Sequence, residues 1–369
     1  MIDLLINGAF GKGFTENPQS ICDVAEGLPR FGITSFFPTI ISSPLDVIAQ
    51  AQTTLHDDSN VNKRGATPLL FTFSTPFLNP AKKGAHDSQY LRQLDSEVAL
   101  KWNPQNGVCM VTLAPELPGD QELIRDLTQQ GVIVGAGHSL ANYQEAREGI
   151  DNGIRYSAYL FNVMPLLHHR QPGLVGALLE DENTAFGLIV DHIHVHPAMV
   201  RLVCESIRHE RLNLIADAIP ALGKPPGTYS LGGQEITVDE ASCRLADGTL
   251  AGSILPLNEA LRNLISITSC SLPQALTSVT ATPADMLGLA HKKERIDVGY
   301  DADMVLLSPE LEVVATLIES SVIYTHENSC KQQSKISANE SGGFVHLYQL
   351  QFPPSQNLEL LERHGYCPK

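Results

Sequence analysis

Asp217 closes the nearly apolar run Leu212-Asn-Leu-Ile-Ala. A carboxylate at the end of a buried segment is costly unless it is paired or used. Its chemistry would be that of a general base acting on a positioned water, and the plainer alternative is a turn or helix cap. His138 follows Val132-Ile-Val-Gly-Ala-Gly, whose glycines let backbone approach closely, and suits either a metal ligand or a structural imidazole. Asp191-His-Ile-His-Val-His196 puts His192, His194 and His196 on one face for as long as the segment stays extended. Such a cluster can bind a metal, but it runs into Pro197 and a helical pattern, so the three rings need not converge. In His168-His-Arg-Gln-Pro-Gly173, Arg170 offers a planar fork for a phosphate or carboxylate, or else a solvated cation. Lys82-Lys83 reads as a solvated pair. Asn7, Ser74, Thr75, Tyr159 and Asn162 stand at the ends of strand-like runs or just past them.

These residues need a scaffold that brings distant strand ends together. The apolar runs Ile2 to Ile6, Ile33 to Phe37, Leu69 to Phe73, Val108 to Leu113, Val132 to Val134, Ile154 to Leu160, Phe186 to Val190 and Leu212 to Ile215 are nearly continuous rather than alternating. That is the pattern of parallel strands covered on both faces. Helical stretches lie between them. Asp120 to Gln130 opens with acidic residues and ends at Gly131, and Ala141 to Gly149 and Pro197 to Ile207 repeat the plan. Eight such units predict an α/β fold, a (β/α)8 TIM-type barrel, whose site lies at the C-terminal ends of the strands. No GxGxxG follows the first strand, against a dinucleotide-binding sheet. The barrel is expected over 1–290, a small β appendage over 291–327 and a polar, partly mobile tail over 328–369.

Composition narrows the partners. Lys plus Arg number 25 and Asp plus Glu 41, a formal charge of 25 − 41 = −16, against a nucleic-acid or anionic-membrane surface. No run reaches the ~20 apolar residues of a membrane helix, and the N-terminus lacks the basic and apolar regions of a signal peptide. Seven scattered cysteines without a CxxC read as free thiols in a reducing compartment, hence a cytoplasmic protein.

Taken in order, Ile2-Asp-Leu-Leu-Ile-Asn-Gly, Gly32-Ile-Thr-Ser-Phe-Phe-Pro-Thr39, Pro76-Phe-Leu-Asn-Pro-Ala-Lys-Lys-Gly-Ala-His86, Thr112-Leu-Ala-Pro-Glu116 and Ala136-Gly-His-Ser139 begin a series of motifs. It continues with Leu160-Phe-Asn-Val-Met-Pro165, His168-His-Arg-Gln-Pro-Gly173, Ile189-Val-Asp-His-Ile-His-Val-His-Pro197, Ala216-Asp-Ala218, Leu245-Ala-Asp-Gly-Thr-Leu-Ala-Gly-Ser253 and Gly299-Tyr-Asp-Ala-Asp-Met-Val305. The series, over about nine-tenths of the chain, resembles the N-acetylglucosamine-6-phosphate deacetylase family of the amidohydrolase superfamily. The resemblance implies a barrel with a β-sandwich built from both chain ends, usually a homodimer. It implies metal-assisted hydrolysis of the acetamide of an amino-sugar phosphate to glucosamine 6-phosphate and acetate. Asp217 falls on the family's catalytic Asp, His138 on a ligand of the divalent metal (zinc or similar), His194 on a substrate-contacting His, and Arg170 with Asn162 and Val163 on the phosphate-binding part.

The sequence departs from that pattern. Ser74 stands where the family's metal-binding Glu belongs, Tyr159 where a second ligand His belongs, and Leu5 where Gln or His is usual. A catalytic zinc site normally has three protein ligands. Ser is neutral, and a phenol with a pKa of about 10 gives little ligating anion. His192 or His86 would have to substitute. The chain also opens almost on its first barrel strand, leaving the C-terminal part of the sandwich with unpaired edges. Three readings follow: the deacetylase, with Asp217 as base; a catalytically impaired descendant that binds a sugar phosphate or a family partner; and a metal-independent reaction on a different substrate, using Asp217, Tyr159 and the His cluster as acid and base.

Overall fold

The computed structural model describes residues 1–55, 64–74, 76–91, 96–99 and 101–326. Thr75 and the 328–369 tail lie outside the described residues.

The apolar runs become strands with small shifts at their ends. They are β1 (Ile2–Ile6), β2 (Ser35–Ile40), β3 (Phe71–Ser74), β4 (Val108–Leu113), β5 (Ile133–Ala136), β6 (Ile154–Ser157), β7 (Ala185–Leu188) and β8 (Leu212–Leu214). They pair in chain order, β1 to β8, all parallel. The ends meet past β8, where Ile6 bridges Ala218 and the Asn7 N–H donates to the Ala218 carbonyl at 2.7 Å. This is the expected (β/α)8 barrel. Helices over Asp120–Gln129, Tyr143–Asn152 and Pro197–Ser206 occupy the predicted stretches. The second starts at a capping box in which Asn142 and Glu145 satisfy each other's backbone N–H groups.

The core is aromatic near β2 to β4, with Phe36, Phe37, Phe71, Phe73, Phe77 and Trp102 all buried. Polar side chains also lie inside. Asp3 accepts from the Ala216 and Leu5 N–H groups, and burial pushes its carboxyl up to about 7. Tyr156 donates to Asn213 at 3.1 Å.

An antiparallel sheet between β8 and the last barrel helices was not foreseen: β9 (Gly227–Leu231), β10 (Gln234–Val238) and β11 (Cys243–Arg244). Leu231, Ile236, Val238 and Cys243 pack with Ile41, Ile219 and Ala251 in a second apolar cluster. The β appendage forms as β12 (Met304–Leu307), β13 (Val313–Ile318) and β14 (Ser321–Thr325), antiparallel throughout. It is tied to the barrel side by Thr316 donating to the Pro29 carbonyl at 2.7 Å.

Candidate active site

The C-terminal ends of the strands enclose a cavity of about 250 Å³. Its lining includes Asn7 after β1, Ser74 on β3, His138 after β5, Tyr159, Asn162 and Val163 after β6, His194 after β7 and Asp217 after β8. Leu231 from β9, with Thr249, Leu250 and Gly252, covers it from the added sheet. The backbone is left-handed at His138 (φ 50°), Tyr159 (34°), Val163 (50°) and Asp217 (49°). Such φ values are uncommon outside glycine and cost of order 1–3 kcal/mol each, so the fold holds these side chains inward against local preference.

Asp217 accepts from Asn7 Nδ2 at 2.9 Å. Burial pushes its carboxyl up to about 6, against the pull of nearby His194 and of the Asn7 amide, with Asp191 adding to the rise. A carboxyl poised there is ionised at neutral pH and still basic enough to take a proton from water. His194 is fixed by Asp191. Its Nδ1 lies 2.6 Å from Asp191 Oδ2, and its own N–H and that of Ile193 donate to Asp191 Oδ1 at 2.8 and 2.9 Å. These bonds hold Asp191 below the usual carboxylate range against the opposing effect of burial. With Nδ1–H committed to Asp191, Nε2 remains the free atom of a ring that lines the cavity.

His138, Tyr159 and Ser74 form a third group, all buried. His138 Nδ1 lies 2.7 Å from the Lys82 carbonyl, which can only accept, so Nδ1 carries the proton. Nε2 then accepts from the Tyr159 hydroxyl at 2.8 Å, and the Tyr159 oxygen accepts from Ser74. Burial lowers His138 to about 4 and raises the Tyr159 phenol above its ordinary value, with Asp217 adding to the rise. Both are therefore neutral at pH 7. His86 packs edge-on to His138 at 4.6 Å between ring centres, with its Nδ1 accepting the Ser42 N–H at 3.2 Å.

The resemblance implies a divalent metal here, and the donors do not fit one. The His138 lone pair that would ligate it takes the phenol proton instead. Ser74 and Tyr159 are neutral hydroxyls. His86 spends Nδ1 on backbone, and its neutral Nε2 is therefore protonated. Among the described residues, no three His, Cys, Asp or Glu side chains are grouped so as to hold a metal ion.

The remaining candidate residues are placed less uniformly. The 191–196 segment is not extended. His192 is exposed at φ 66°, and His196 caps the next helix by accepting the Ala198 N–H, so only His194 faces the cavity. Arg170 does not line the cavity; it sits on an exposed stretch with Leu166, Leu167, His168 and His169. Lys82 is half-buried, donating across to the Met164 carbonyl at 2.9 Å. Asn7 as the partner of Asp217, Asp191 as the partner of His194, and His86 beside His138 went unassigned in the sequence. Only Asp191 had a nearby signal, three residues before His194.

A profile of the amidohydrolase family matches residues 8–334. A mouse protein named N-acetylglucosamine-6-phosphate deacetylase is 37% identical over 89% of this chain and 83% of its own length. One of the same name from Bacillus subtilis is 33% identical over 88% and 83%. An Escherichia coli O157:H7 protein named N-acetylgalactosamine-6-phosphate deacetylase is 35% identical over 85% and 83%. Among solved structures, the N-acetylglucosamine-6-phosphate deacetylase of Thermotoga maritima superposes with TM-score 0.82 at 30% identity, covering 88% of each chain. That of Pasteurella multocida gives 0.83 at 28% identity, covering 88% of this chain and 85% of its own.

Proposed function

This chain belongs to the N-acetylglucosamine-6-phosphate deacetylase family of the amidohydrolases, and we propose that it hydrolyses the acetamide of N-acetylglucosamine 6-phosphate to glucosamine 6-phosphate and acetate. The observation that carries this reading is Asp217, held by Asn7 at the barrel mouth with a raised carboxyl and facing a cavity of sugar size. The relatives' activities favour hydrolysis over an impaired, sugar-phosphate-binding descendant.

Asp217 works as base and then acid. Its carboxylate takes a proton from water while the water oxygen bonds to the acyl carbon. The C–N bond then breaks, and the same proton passes to the departing amine nitrogen. The Asn7 amide donates to the carboxylate and favours its ionised form. His194, locked by Asp191, presents Nε2 to a sugar hydroxyl. Asn162 and Val163 line the wall expected to receive the phosphorylated end. Arg170, on the same segment after β6, supplies the phosphate's counter-charge from the cavity's outside. No step runs through a metal ion.

A homodimer in the cytoplasm completes the reading. Leu166, 88% exposed, and Leu167 beside Arg170 form apolar surface that a second copy would cover. No helix among the described residues is long and apolar enough to cross a membrane. The test is acetate release from N-acetylglucosamine 6-phosphate beside its 4-epimer, since the E. coli O157:H7 relative is named for the latter. The reading predicts turnover of the gluco substrate at the higher kcat/KM; turnover of neither overturns it.

A further inference from the structure

We propose that this pocket has exchanged the family's divalent ion for a neutral hydrogen-bond relay, Ser74 to Tyr159 to His138 to the Lys82 carbonyl, and that it works without a resident metal. The inference rests on the deacetylase reading only for the expected location of the ion. The relay itself stands on this chain's geometry.

Its polarity is fixed from one end. The Lys82 carbonyl can only accept, so it takes Nδ1–H of His138 at 2.7 Å and leaves Nε2 as an acceptor. Nε2 takes the Tyr159 O–H at 2.8 Å, and the phenol oxygen takes the Ser74 O–H. Every proton in the chain is committed, and so is the imidazole lone pair an ion would need. To admit a dication, the phenol must turn away from His138, although both residues are buried and held at left-handed backbone angles. The relay contains no anion, so of the residues lining the cavity Asp217 alone would offset the ion's charge, and the general base would be spent on it. His86 cannot complete a ligand set, since its Nδ1 already accepts from Ser42.

The test is metal content and zinc affinity of the full chain, alongside acetate release with and without chelator. The protein is expressed with added zinc, freed of loosely held ions by gel filtration, and analysed for elements. Zinc affinity is then read by competition with a chromophoric chelator for the wild type, Tyr159→Phe, and Ser74→Glu combined with Tyr159→His. The inference expects substoichiometric metal in the wild type and no tight site in Tyr159→Phe. It expects zinc binding on the order of 1,000-fold tighter in the double variant, which restores an anion and a second imidazole. One ion per wild-type chain, lost in His138→Ala, would overturn it. If the double variant does not fold, the wild-type and Tyr159→Phe measurements still decide. Acetate release that persists in chelator supports both this inference and the deacetylase reading. Release that appears only with added metal overturns the inference and keeps the reading. No release under any condition overturns the reading, while the metal content decides the inference.

Discussion

Replacing Asn7 with Leu should move the acid limb of the pH–rate profile without lowering the alkaline plateau. The Asn7 amide donates to Asp217 Oδ1 at 2.9 Å and favours the ionised carboxyl. A hydrogen bond to a charged acceptor is worth about 1.5–3 kcal/mol, and one pKa unit corresponds to about 1.4 kcal/mol, so its loss raises Asp217 by roughly one to two units. Starting from about 6, the carboxyl would titrate near about 7.5. At about pH 6.5 the ionised fraction then falls about eightfold, while at about pH 9 both proteins are almost fully ionised. The assay is kcat/KM for acetate release across pH, which reports groups of the free enzyme. A limb that stays at about 6, or an equal loss at every pH, would refute the link from Asn7 through Asp217 to the reaction.

Two further outcomes follow from residues around the cavity and beneath it. Arg170→Ala should raise KM for the phosphorylated sugar and leave the poorer turnover of N-acetylglucosamine itself unchanged; equal effects on both would remove Arg170 from phosphate binding. Asp3 holds a proton up to about 7 in the folded barrel, against 3.8 ordinarily. Between those values the folded state binds more protons than the unfolded one, so stability falls as pH rises through that window and stays lower above it. Asp3→Asn should flatten this dependence, measured as urea midpoints at about pH 5 and about pH 8; an unchanged slope would show that Asp3 does not titrate there.

The barrel was legible because strands covered on both faces must be apolar along their length, and runs such as Val108 to Leu113 carry that requirement in the residues themselves. The β9–β10 hairpin escaped because one side faces solvent and its apolar residues are sparse. Its turn was nonetheless written in the sequence: Gly232 and Gly233, both at positive φ, join Leu231 to Gln234 as a two-residue hairpin loop requires. Strand ends placed Asp217, His138, Ser74, Tyr159 and Asn162 correctly in the cavity, since a barrel converges whatever follows its strands. Pairings were not legible. Asn7 and Asp217 lie 210 residues apart, and only the closure between β1 and β8 brings them together. The histidines at 192, 194 and 196 diverge, as the Pro197 and helical pattern after them allowed: their spacing has one face only in extended chain, and here the chain turns at His192. The direction of Arg170 was not legible either, because a motif match says nothing about which way an exposed loop points.

The central claim is that Asp217 moves the proton that cleaves an acetamide in this cavity. Steady-state acetate release from N-acetylglucosamine 6-phosphate, compared between the wild type and Asp217→Asn at about pH 7.5, tests it most directly. The account predicts a loss of at least about 100-fold in kcat with the fold intact by circular dichroism. Equal rates in the two proteins would contradict it.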